Sequence, residues 1–106
     1  MHKRTKATSI PMRVKKAVYE RDGGLCIFCN RRGLPEAHVI SRAHGGLGIE
    51  TNIVTACRTC HDRMDNSTDR DMYLAVAVDY LKNIYPDWKS EDQVYKRRKC
   101  QEQQGL

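Results

Sequence analysis

Apolar positions fall into several kinds of run along this chain, and each kind predicts a different element. Val14, Ala17 and Val18 recur at helical spacing, which predicts a helix over residues 11–21 with Ser9 as its cap and Pro11 tolerated in the first turn. Asp22-Gly23-Gly24 ends it, because glycine accepts the positive φ of a helix terminus. Residues 37–40 and 52–56 are short and partly β-branched and read as strands, separated by a loop rich in glycine at 45, 46 and 48. A short helix is expected over 58–65. Leu74, Val78, Leu81 and Tyr85 predict a longer one over 69–84, stopped by Pro86. Ser90 with Gln93 three residues on resembles a capping box for a last helix to about residue 100, with Trp88 as packing. Residues 1–8 carry no period and read as a flexible arm.

The pattern gives one α+β domain: a basic arm (1–9), a core of hairpin then helix (10–66), and a helical extension packed on that core (67–106). Charge divides along the same lines. Residues 1–60 hold 11 Lys/Arg against 4 Asp/Glu, whereas residues 61–92 hold 4 against 8, and Lys96-Arg97-Arg98-Lys99 follows. The basic half suits a polyanion backbone, with a solubilising surface as the alternative. The acidic extension is a poor nucleic-acid contact and suits core capping, a partner or a homodimer. No run approaches the roughly 18 apolar residues of a membrane span.

With only 7% aromatic and 30% charged residues, a core of this size needs a staple. Cys26/Cys29 and Cys57/Cys60 are two Cys-x-x-Cys pairs with 27 residues between them, a spacing that suits a tetrahedral structural Zn²⁺. Two disulfides are the alternative. The start, Met1-His2-Lys3-Arg4, lacks an apolar signal segment, so reduced thiols and a cytoplasmic location are expected. Cys100 stands outside both pairs and is expected to be an unpaired thiol. No nucleophile elbow, phosphate-binding loop or dinucleotide fingerprint occurs.

Between and beside the knuckles stand His38, Asn52 and His61, separated by 13 and 8 residues, with Gly45-Gly46 in the first gap. This trio, the double glycine and the flanking cysteines resemble the HNH endonuclease family, in its small zinc-containing phage and prophage type. The resemblance implies a ββα-metal core knotted by a four-cysteine zinc site, around which the sequence pattern sets an N-terminal helix and two C-terminal helices. It implies metal-dependent hydrolysis of DNA phosphodiesters, on double-stranded substrate, with one divalent ion (Mg²⁺, Mn²⁺, Ni²⁺ or Zn²⁺) in addition to the structural zinc. One site cuts one strand, so nicking is expected, with double-strand cleavage needing dimerisation or two events, and phage packaging proteins are candidate partners.

Carried onto this chain, His38 falls at the general base, Asn52 at the position that ties down the loop, and His61 at a metal ligand on the helix. Arg42 falls on the loop that approaches substrate, and Arg58 opens the metal helix. Lys15, Lys16, Arg31 and Arg32 are candidate phosphate contacts, and His44 reads as a loop residue. One departure matters: the residue before the base is Ala37, where the family places a metal-binding Asp or His. Three compensations are open. Asp65 is four residues after His61, on the same helix face. Glu36 shares a strand face with His38. A one-residue slip would make His38 the ligand and Val39 the residue at the base position. The alternative function is a DNA-binding module that keeps the fold without catalysis.

Overall fold

The computed structural model describes residues 3–96 of the 106-residue chain. In chain order the elements are α1 (Lys3–Thr8), α2 (Met12–Arg21), β1 (Leu34–His38), β2 (Ile53–Ala56), α3 (Arg58–Asn66) and α4 (Arg70–Ile84). Single 3-10 turns at Arg42–His44, Glu50–Asn52 and Ser90–Gln93 shape the connections.

The expected hairpin-then-helix order is present. β1 and β2 pair antiparallel, with Ala37 opposite Val54 and His38 opposite Ile53. The register shifts between Leu34 and Ala37, a segment containing Pro35, which has no N–H to give the ladder. β1 therefore starts three residues before the predicted strand and ends at His38, although the Val39 N–H still donates to the Asn52 carbonyl.

Val14 and Val18 of α2 bury against Ile53, as the helical period predicted. The Pro11 carbonyl accepts from the Val14 and Lys15 N–H groups and opens that helix. Ser9 does not cap it; its hydroxyl donates to the Thr5 carbonyl instead. Gly23 and Gly24 close α2 at φ of 67° and 72°. The larger core joins Ala37 and Val54 to Met64 of α3, Ala77 and Leu81 of α4, and Trp88, whose indole N–H donates to the Thr51 carbonyl at 2.6 Å. Leu74, Val78 and Tyr85 are half-buried at its edge, because the fully buried places on α4 go to Ala77 and Leu81.

A buried ion pair locks α2 to β2 and α4. Arg21 Nε donates to Asp22 at 2.7 Å, and the same guanidinium donates to the Ile53 and Glu50 carbonyls. Asp22 also accepts from the Tyr80 hydroxyl and the Thr55 N–H.

Both ends of the chain differ from expectation. Residues 3–8, read as a flexible arm, form α1, and the Gly48 N–H donates to the Ala7 carbonyl at its end. At the other end, Ser90–Gln93 is a single turn rather than the start of a helix. Gln93 is buried, with its amide donating to the Lys89 carbonyl and accepting from the Thr51 hydroxyl, so it cannot complete a capping box. Val94 then pairs with Gly46, and the Tyr95 N–H donates to the Gly45 carbonyl. Residues 97–99 of the second basic run and Cys100 lie outside the described residues. Among the described residues no helix is long and apolar enough to cross a membrane.

Candidate active site

The cysteine knot is assembled from two local structures. Cys26 and Cys29 sit on a tight turn in which Asn30 N–H donates to the Cys26 carbonyl and Cys26 N–H to the Arg31 carbonyl. Asn30 takes φ of 67°, a left-handed conformation that asparagine tolerates. Cys57 caps α3, its sulfur accepting from the Cys60 N–H. The Ile27 N–H donates to the Thr55 carbonyl and ties the first turn to β2, just ahead of the second.

The four cysteines are free thiols, and their sulfurs all lie within 4.8 Å of one another, with Cys29 and Cys57 at 3.6 Å. A zinc ion with bonds of about 2.3 Å holds its sulfurs about 3.8 Å apart, so this donor set fits a closed structural zinc site. Burial pushes the Cys57 thiol up, but the Cys60 N–H and the neighbouring sulfurs outweigh it and bring it down to about 7.

Beside the knot, β1 and α3 form the walls of an open cleft of about 460 Å³ whose lining includes Lys15, Glu36, His38, Arg42, His61 and Asp65. Strand alternation explains the first wall. Leu34 and Glu36 point outward, while Pro35 and Ala37 point to the core. Ala37 is 1% exposed, so its position faces away from the cleft. Helical spacing explains the second wall: His61 Nδ1 and Asp65 Oδ2, four residues apart on α3, lie 3.8 Å from each other.

Glu36, His61 and Asp65 thus offer two carboxylates and an imidazole to one cleft, a donor set suited to a divalent ion. They are not drawn into a coordination sphere. Among the described residues only the four cysteines form a group of three or more donors placed to hold a metal ion. Glu36 leans instead on Lys15, at 3.5 Å.

His38 is half-buried at the end of β1, with Nε2 2.8 Å from the main-chain carbonyl of Thr8. A carbonyl only accepts, so Nε2 carries the hydrogen and Nδ1 keeps its lone pair in the neutral ring. Burial depresses the His38 pKa below the ordinary imidazole value, opposed by the Thr8 bond and assisted by the charges of Arg42 and His61. Val39, at the base position in the slipped register, is buried at 5% exposure.

Asn52 does not line the cleft. It is fully buried and fastens the loop above it: Nδ2 donates to the Ile40 and Leu47 carbonyls, and Oδ1 accepts from the Ile40 N–H. That loop carries Arg42, whose guanidinium donates to the Thr8 and Ser9 hydroxyls at 3.3 and 3.4 Å.

His44 bonds to Ser41 and is not among the cleft-lining residues. Arg58 lines a small adjoining depression that shares Glu36 and His61 with the cleft. Lys16, Arg31 and Arg32 are not brought to the cleft. Sequence reasoning missed Thr8, Ser9 and Ile10: Ser9 and Ile10 line the cleft, and Thr8 contacts two of its side chains.

Residues 26–73 match a family model described as HNH endonuclease. The matched segment takes in both knuckles, both strands and α3. No curated protein matches the chain.

Proposed function

From the premise that this chain belongs to the HNH endonuclease family, an assignment carried by residues 26–73, we propose that it hydrolyses phosphodiester bonds of double-stranded DNA in a metal-dependent reaction. The observation that carries this reading is the convergence of His38, Arg42, His61, Asp65 and Glu36, from β1, the loop and α3, on one cleft. His38 Nδ1 takes the proton of a water whose oxygen attacks phosphorus, and the bond from phosphorus to the leaving sugar oxygen breaks as that oxygen takes a proton from solvent water. Arg42 and Lys15 offset phosphate charge from the cleft walls. His61 and Asp65, with Glu36 as a third donor, would hold the divalent ion. When bound, that ion supplies electrostatic stabilisation of charge on the phosphate and the leaving oxygen.

The buried place of Ala37 favours a second reading, a DNA-binding module without catalysis, because no ligand from that position reaches the cleft. The carboxylates of Glu36 and Asp65 weigh against it, since acidic groups facing a phosphate weaken binding unless a cation lies between them. Cleavage of supercoiled plasmid that requires added divalent metal distinguishes the two functions. Titration of zinc-loaded protein with Mn²⁺ tests the ligand set. His61→Ala should abolish the non-zinc binding event, and unchanged Mn²⁺ affinity in that variant would discard the set.

A further inference from the structure

α1 and the Thr8–Ser9 junction lie outside the segment that matches the family, yet they touch the active-site loop and the base at several points. We propose that this N-terminal segment is a working part of the active site: the Thr8 main-chain carbonyl fixes the His38 tautomer, and the Thr8 and Ser9 hydroxyls hold Arg42 toward the cleft. The proposal rests on the reading of His38 as the base and makes residues 8 and 9 positioning residues.

The sequence leaves those carbonyls available. The last carbonyls of any helix have no intrahelical partner. Here Pro11 has no N–H, so it can close neither an i+4 bond to the Ala7 carbonyl nor an i+3 bond to the Thr8 carbonyl. Both turn to tertiary partners. Ala7 accepts from the Gly48 N–H at 3.0 Å, and Thr8 accepts from His38 Nε2 at 2.8 Å. Arg4 adds a clamp one turn earlier, donating to the Arg42 and Ala43 carbonyls at 3.1 and 2.9 Å. Thr8 itself is 3% exposed. At Gly48 the loop backbone lies directly against the Ser9–Ile10 backbone. A Cβ there would fall 1.9 Å from the Ser9 carbonyl oxygen and 2.5 Å from its carbon, so any larger residue must push the junction away.

The consequence is specific. With its hydrogen on Nε2, the neutral ring presents Nδ1 as the only proton acceptor; the other tautomer would turn a donor toward the attacking water. Displacing the junction should release the ring to sample both.

The test uses full-length, zinc-loaded protein and long-range ¹H–¹⁵N spectra of the histidine rings at about pH 8, above the ordinary imidazole range. The wild type should show His38 protonated at Nε2. Gly48→Ala should lose that fixed tautomer and lower the plasmid-nicking kcat by about 10- to 100-fold, with KM changing less than about threefold. Arg4→Ala should move both readouts in the same direction by less, and it decides the matter if Gly48→Ala fails to retain zinc. Thr8→Val, which keeps the carbonyl, should leave the tautomer unchanged. Retention of the Nε2 tautomer and of kcat in folded Gly48→Ala and Arg4→Ala, with His38→Gln inactive, would overturn this inference alone. Wild-type nicking by His38→Gln would instead overturn the base assignment on which it rests.

Discussion

Replacing Asn52 with alanine removes a side chain that touches no cleft surface, and its cost can be worked from three bonds. The amide donates to the Ile40 carbonyl at 3.1 Å and the Leu47 carbonyl at 2.9 Å, and its oxygen accepts from the Ile40 N–H at 2.9 Å. At roughly 1 kcal/mol net per bond, the loss is about 3 kcal/mol. Water does not reach the site, since Asn52 is fully buried, so the stranded loop groups add to that figure rather than reduce it. A domain of this size has only about 5–15 kcal/mol of stability in total. Urea unfolding of zinc-loaded protein should therefore show a large drop in midpoint, with α4 and the knot still folded in buffer. The loop that carries Arg42 should loosen, and plasmid cleavage should fall with it. Asn52→Asp sharpens the test. It keeps the acceptor for the Ile40 N–H but sets a carboxylate against two carbonyl oxygens, so it should cost at least as much as alanine. A loss below about 1 kcal/mol, with cleavage intact, would refute the view that Asn52 acts by fastening the loop.

Three further outcomes follow from named contacts. Asp22→Asn should cost about 3–5 kcal/mol by chemical denaturation, because it leaves the largely buried Arg21 charge without its partner. In the wild type, burial would raise the Asp22 carboxyl, but bonds from Arg21, Tyr80 and the Thr55 N–H hold it below the ordinary carboxylate range. Its stabilisation is therefore complete above the unfolded value and is lost as pH falls through the depressed folded one; Asp22→Asn should flatten that acid limb. His38 must be neutral to accept a proton, and its pKa lies below the ordinary 6.5. The acid limb of kcat should consequently fall below that pH, and a limb well above it would place the base elsewhere. Removing zinc with a strong chelator, or substituting Cys26→Ser, should unfold the core by circular dichroism, as expected when a metal staples a small domain. Native-like spectra after zinc loss would contradict the structural role.

What the sequence made legible was whatever local spacing encodes. The Cys-x-x-Cys pairs specify two knuckles, and the structure brings all four sulfurs together. The helical period at Val14 and Val18 specifies a buried face, and both are buried, whereas of Leu74, Val78, Leu81 and Tyr85 only Leu81 is fully buried and the others sit half-buried beside it. His61 and Asp65 meet because four residues make about one helical turn. The failures lie where tertiary partners decide. Six residues of α1 are too few to show a period or to be stable alone, and their helix is held by Gly48, Arg42 and Ala43. Ser9 and Gln93 have the right chemistry for helix caps, but Thr5 and Thr51 offer them other partners. β1 begins early because a two-stranded edge tolerates Pro35 at a register shift. Strand alternation alone placed Glu36 with His38. It took the fold to show that Ala37 is a core residue.

The most direct test of metal-dependent cleavage is nicking of supercoiled plasmid by zinc-loaded protein with Mg²⁺, Mn²⁺, Ni²⁺ or Zn²⁺ added, alongside His38→Ala. Relaxation to the nicked circle is expected only with added metal, slowed by about 100-fold or more in His38→Ala. Failure to cut with any of these metals, by folded protein that still binds DNA, would contradict the nuclease reading and leave the cleft a binding surface.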